Sequence, residues 1–190
     1  MKKIISLLLF VASSSNANIT IVNDDDPNEG LNDTTPVAPI AGNLGTTLGE
    51  QRLNVLNKAA EIINSSFDIQ QTVHVSTTFD PLTCTSNSAV LGQASPSASF
   101  LDHDSQSIIP YALQNQLQGY DDNGNGSEII TQFNSSIDNN NSCLNNKNWY
   151  YGFDNESGSD ESFLSTALHE IIHGMGFTSY LGRQAFAPYE

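Results

Sequence analysis

The residues most able to do chemistry lie near the C-terminal end of the chain, in His169-Glu170-Ile171-Ile172-His173. On an α-helix, residues four apart are offset by about 40° and one turn, so the two imidazoles point the same way. Imidazole is a good ligand for zinc, and two such nitrogens can share one ion at roughly 2.0–2.1 Å. Glu170 stands next to the first ligand. It reaches the water on the metal rather than the metal itself and can act as its general base. The chemistry of this pattern is metal-assisted hydrolysis, with Glu170 catalytic and His169 and His173 as metal ligands. A chance HExxH is rare in a chain of 190 residues with four histidines. The bland alternative is a helix with two core histidines and a surface glutamate.

The element that must position these groups is legible. Phe163, Leu164, Ala167, Leu168, Ile171 and Ile172 recur at helical spacing. They predict a helix over about 160–174, with Ser159 as N-cap and Asp160 and Glu161 at the positive end of its dipole. Gly174 and Gly176 close it. Upstream, Thr47-Leu48-Gly49-Glu50 has capping-box form, and Leu53, Leu56, Ala60 and Ile63 follow at spacings of three and four, predicting a helix over about 47–65. Residues 71–79 alternate, with Val73, Val75, Thr77 and Phe79 on one face, as in a half-buried strand. Residues 128–134 read as a second strand, and Trp149-Tyr150-Tyr151 as a short third. Residues 83–126 carry only weak signals, with a short helix after Pro110 the clearest of them.

The first residues look like a secretory leader. Lys2 and Lys3 precede an apolar run from Ile4 to Ala12, and Ser15-Asn16-Ala17 offers a small-residue cleavage site. The run is too short to span a bilayer. The expected organisation is therefore a signal peptide at 1–17, a flexible lead-in at 18–43, rich in Pro, Asn and Asp, and a catalytic domain at 44–190. The mature chain is expected to be secreted or periplasmic, without a membrane span. Removing Lys2 and Lys3 with the leader takes the formal charge from −15 to −17. So acidic a surface excludes nucleic acid and anionic membrane as natural partners, because nothing neutralises phosphate. Cys84 and Cys143 suit one disulfide in an oxidising compartment. Two buried free thiols are the alternative.

The stretch Thr166 to Phe177, reading TALHEIIHGMGF, resembles the active-site helix of zincin metallopeptidases. More narrowly, the chain is similar to a family of large secreted bacterial proteins that pair an HExxHGxGF segment with an inserted protease-associated domain. Gly45 to Arg52, Thr78 to Cys84, Phe133-Asn134-Ser135, Cys143-Leu144 and Trp149 to Gly152 carry that likeness. It implies an α+β, zincin-like fold, with a twisted, mostly antiparallel sheet packed on two helices, the second bearing HExxH. It also implies zinc-dependent hydrolysis of peptide bonds in a peptide or protein substrate, which could pair with an edge strand at residues 128–134. The rival function is a secreted non-catalytic binding or surface protein that keeps the fold.

The pattern departs from metzincins at Ser179, where a third histidine would fall. Glu190 is a weak candidate for the third ligand and His103 another. The expectation is that the ligand lies beyond Glu190 and the chain is a fragment. Asp121-Asp122-Asn123-Gly124-Asn125-Gly126 opens like a Ca²⁺ loop, but its twelfth position is Gln132 where a glutamate is expected. A Gly/Asn-rich turn is the default reading of that segment, and calcium-dependent adhesion through it is a further possibility.

Overall fold

The computed structural model describes residues 17–102, 107–138 and 140–178. Residues 1–16, which hold all but the last residue of the expected signal peptide at 1–17, lie outside the described residues, as do His103, Asn139, Ser179 and Glu190. In chain order the elements are β1 (Ile19–Asn23), α1 (Leu48–Ser66), β2 (Val73–Asp80), β3 (Gly92–Pro96), β4 (Ser99–Asp102), β5 (Ser107–Pro110), α2 (Tyr111–Gln118), β6 (Ile129–Asn134), β7 (Trp149–Tyr150), β8 (Glu161–Ser162) and α3 (Phe163–Gly174). The fold is mixed α+β, with three helices, a four-stranded sheet ordered β1-β2-β6-β3, and two small ribbons, β4-β5 and β7-β8.

The predicted first helix forms where its capping box places it. Thr47 Oγ1 accepts from Glu50 N–H, and the Glu50 carboxylate accepts from Thr47 N–H, satisfying two donors that a helix start leaves open. Val55, Leu56, Ala59, Ala60 and Ile63 are buried, and α1 lies against β1 and α3. The β2 strand alternates as expected, with Val73, Val75, Thr77 and Phe79 buried.

Three expectations are corrected. Residues 18–43 are not a flexible lead-in: Ile19–Asn23 pairs in parallel with β2, and a 3-10 turn, Gly30–Asn32, follows. The Asp25 carboxylate accepts backbone N–H groups from Leu31 and Phe79, so the acidic run that reads as linker is the staple that holds this segment down. Second, the sheet is not mostly antiparallel. β1 with β2 and β2 with β6 are parallel, and only β3 with β6 is antiparallel. The cause is α1, which carries the chain back between β1 and β2, as a parallel pair requires. Third, residues 128–134 do not form an edge. β6 lies between β2 and β3, and Ile129, Thr131 and Phe133 are buried in the interior of the sheet. The edge beside α3 is β3. It falls within the segment of weak signals, because Gly92-Gln93-Ala94-Ser95-Pro96 has no apolar alternation to read.

The disulfide Cys84–Cys143 is present, with Cα atoms 5.3 Å apart. It closes a loop of 59 residues and contributes about 4 kcal/mol through restriction of the unfolded chain. Among the described residues, no helix is long and apolar enough to cross a membrane.

Candidate functional site

The HExxH helix is the third of the fold, not the second, and it begins later than its sequence suggests. Its N-cap is Ser162, whose Oγ accepts from Ser165 N–H. Ser159 does not cap it because the two acids that follow are engaged elsewhere. Asp160 accepts from Asn148 N–H, and Glu161 joins β8 and pairs with Lys147 Nζ at 2.6 Å.

The first residue of α3 anchors it. The Phe163 ring is fully buried and meets Phe79, Phe133, Trp149 and Tyr151 edge-on at centroid distances of 5.4, 5.0, 5.2 and 5.7 Å. Such contacts add to the burial of a large apolar ring. From there Ala167, Ile171 and Gly174 continue one buried stripe. His169 and His173 follow Ala167 and Ile171 by two residues, about 200° around the helix, so they face away from the core.

Gly174 lets the helix lie against β6. A β-carbon there would overlap the Ile129 side chain. Gly174→Ala is therefore expected to cost about 1–3 kcal/mol despite the higher helix propensity of alanine, read from urea denaturation. An unchanged midpoint would show that α3 and β6 can separate without loss.

The two imidazoles converge. His169 Nε2 and His173 Nε2 are 2.9 Å apart, with the rings nearly perpendicular and their centroids 4.3 Å apart. His173 Nδ1 lies 2.7 Å from the Phe177 carbonyl oxygen. A carbonyl only accepts, so Nδ1 carries the proton there and Nε2 presents its lone pair toward His169. A backbone carbonyl behind one ring nitrogen is the usual device for fixing a ligating histidine. Two nitrogens on one tetrahedral zinc stand about 3.3 Å apart, so a small opening of this pair would admit the ion. The donor set fits zinc in type. It supplies two of the three protein ligands that such a site normally has. His103 and Glu190, the candidates for the third, lie outside the described residues. His74 is elsewhere, on β2, with Nδ1 3.7 Å from Glu128.

Glu170 is half-buried on the flank of α3 that faces β3. A β-carbon at Gly92 would stand 3.1 Å from Glu170 Cγ and 2.9 Å from the Phe133 ring, so the glycine is what lets the carboxylate sit beside the strand. Burial pushes the Glu170 carboxyl above its usual range, and the neighbouring His169 and His173 partly oppose this. That is the direction a general base working near neutrality needs.

A cleft of about 360 Å³ opens here, walled by Val90, Leu91 and Gly92 on one side and Ser165, Thr166, His169 and Glu170 on the other. Two larger hollows, of about 620 and 490 Å³, lie along β1 and α1 and on the open face of the sheet. Neither is lined by a histidine, and the smaller cleft is the one that reaches His169 and Glu170.

The strand wall was invisible in the sequence, and the residue that fixes it is Asn134. Fully buried, it accepts from Leu82 N–H and donates to the Val90 carbonyl at 2.7 Å, while its own N–H reaches the Leu91 carbonyl. One side chain thus clamps both ends of the 82–91 loop. The disulfide holds the same loop to residues 143–144, where Leu144 N–H bonds the Thr85 carbonyl. An asparagine at the end of an apolar strand run is the only sequence signal of that role.

A model of the SPBPB7E8-like family matches residues 41–189, and the chain belongs to that family. No curated protein and no solved structure matches it.

Proposed function

We propose that this member of the SPBPB7E8-like family is an exported zinc-dependent peptidase with a zincin-like fold. One observation carries the reading. Two helical imidazoles meet nitrogen to nitrogen at 2.9 Å, with a half-buried glutamate between them in sequence and a cleft along their flank. The disulfide is compatible with export, as the leader-like N-terminus predicts.

The convergence of His169 with His173 supports the division of labour proposed here. His169 and His173 would hold the ion through Nε2, and the Phe177 carbonyl beside Nδ1 would keep the His173 ring in the ligating tautomer. Bound zinc supplies Lewis acidity and a water acidic enough to lose a proton near neutral pH. Glu170 would take up the proton of the attacking water at its carboxylate and return it to the departing amine. The substrate lies extended along β3, the sheet edge that borders the cleft. Backbone pairing gives affinity without demanding a particular side chain. Val90 and Leu91 form the apolar end of that path. The role given to residues 128–134 on sequence grounds thus passes to 92–96.

Metal analysis and chelation test this directly. Protein dialysed against zinc is expected to retain about one ion per chain. Casein or peptide cleavage is expected to stop with 1,10-phenanthroline and return with zinc. His169→Ala should lose both metal and activity. A zinc-loaded chain with no cleavage would favour the non-catalytic binding role, and a His169→Ala chain that still holds one zinc would end the metal assignment.

A further inference from the structure

The helix that carries the histidines ends in a turn that reaches back to one of them. Gly176 has φ +108°, a conformation open to glycine and closed to most other residues, and its N–H bonds the His173 carbonyl at 3.0 Å. Phe177 N–H bonds the Ile172 carbonyl at 3.3 Å. The turn thus brings the Phe177 carbonyl to His173 Nδ1, at 2.7 Å. That contact is open to solvent. Water competes for both of its partners, so on its own it adds little. Something else must keep Phe177 in place. Its side chain is 61% exposed, too open for the core to be its anchor. The ring instead meets that of Phe67, at a centroid distance of 5.9 Å and a tilt of 53°.

Phe67 is the C-cap of α1 and is itself 42% exposed. The segment that follows it is fixed to α2. Gln116 Oε1 accepts from the N–H groups of Gln70 and Gln71 at 2.8 and 3.0 Å, and Gln116 Nε2 donates to the Gln71 carbonyl at 2.9 Å. The same helix lies under the turn after α3: a β-carbon at Gly176 would stand 3.3 Å from the Leu113 side chain and 3.7 Å from Pro110. The ends of α1 and α3 therefore both rest on α2, and the aromatic pair joins one to the other. We infer that Phe67 is a positioning residue: through the Phe177 ring it holds the carbonyl that orders the His173 imidazole for metal. The inference rests on the metal-binding reading of the histidine pair. The coupling runs from ring to ring, from carbonyl to Nδ1, and across the imidazole to Nε2. An aromatic pair of this kind is worth about a factor of 2–10 in an equilibrium constant.

Zinc affinity and imidazole tautomer, both measured on the full chain, test this. Phe67→Ala is expected to weaken zinc binding about 3–10-fold in competition with a chromogenic chelator. In metal-free protein at alkaline pH, the nitrogen chemical shifts of the His173 ring are expected to move from a fixed Nδ1–H tautomer toward a mixture of the two. Phe67→Tyr keeps the ring and should match the parent in both measurements. Phe177→Ala keeps the carbonyl and loses only the ring, so it should reproduce the Phe67→Ala loss. The double variant should bind zinc no more weakly than either single one, because each removes the same contact. Both rings are largely open to solvent, so the variants are expected to fold. A Phe67→Ala chain with the zinc affinity of the parent would overturn the inference, as would losses that add in the double variant or an unchanged His173 spectrum. If the parent binds no zinc, the peptidase reading fails, and the role of Phe67 in ordering the His173 ring stands or falls with the tautomer measurement alone.

Discussion

Glu170→Gln is expected to hold its zinc and lose its activity, by about 10²–10⁴-fold in kcat. The substitution keeps the size and nearly the shape of the side chain, so the close approach to Gly92 is undisturbed. It removes only the ability to take up a proton. On the proposed mechanism the side chain touches water and not the metal, so zinc content should stay near one per chain, and KM should change little because Glu170 makes no ground-state contact with the peptide. Metal content, kcat and KM measured on the same preparation check this. Loss of zinc together with activity would make Glu170 a ligand, and activity equal to wild type would remove it from the reaction.

Arg52→Leu is expected to lose about 3–5 kcal/mol of stability, the largest effect of any change outside the cleft. Arg52 is almost fully buried on α1. Its Nη1 donates to the Gly30 carbonyl at 2.7 Å, its Nη2 to Asp138 at 2.9 Å, and its Nε to the Tyr151 hydroxyl at 3.0 Å. The guanidinium lies 4.1 Å from the centre of the Phe79 ring. Tyr151 in turn donates to Asp138 at 2.6 Å. Burial pushes the Tyr151 hydroxyl well above its usual range, with Asp138 adding to the effect. Leucine leaves the Asp138 carboxylate facing the interior without its counter-ion, and it leaves the Gly30 carbonyl without a donor. Most of the expected cost is that stranded charge rather than the strength of the pair. Arg52→Leu combined with Asp138→Leu should therefore be more stable than Arg52→Leu alone, as urea denaturation of both would show. A loss under 1 kcal/mol in the single variant would mean that water replaces the guanidinium.

Legibility in the sequence tracked the strength of local signals. The capping box at Thr47, the alternation at Val73–Phe79 and the imidazole pair are local, and each appears where expected. What failed depends on distant partners. Ile19-Thr20-Ile21-Val22 is short and is followed by Asn23 and three aspartates, so it reads as linker. Only docking on β2 makes it a strand. β3 has no apolar side chains in alternation, because as an edge it is held by backbone pairing to β6. Arg52 carries no local signal of its role, although its partners at 30, 138 and 151 make it central. Glu128 looked like the polar start of a strand, and nothing local marks it as buried. Ser159 lost the cap to Ser162 because Asp160 and Glu161 found partners in the 147–149 segment.

The order of strands has a consequence for the time course of folding. In the parallel pair at the middle of the sheet, Val75 stands opposite Ile129 and Thr77 opposite Thr131, 54 residues later. A chain emerging from its N-terminus can assemble Ile19–Asn23, the first helix and Val73–Asp80 early. It then has to keep the open side of Val73–Asp80 from wrong partners until more than fifty further residues arrive. Pairings this remote form slowly. Refolding is thus governed by capture of the last-arriving interior strand, and an incomplete chain ending before it would expose an unpaired apolar edge prone to aggregation.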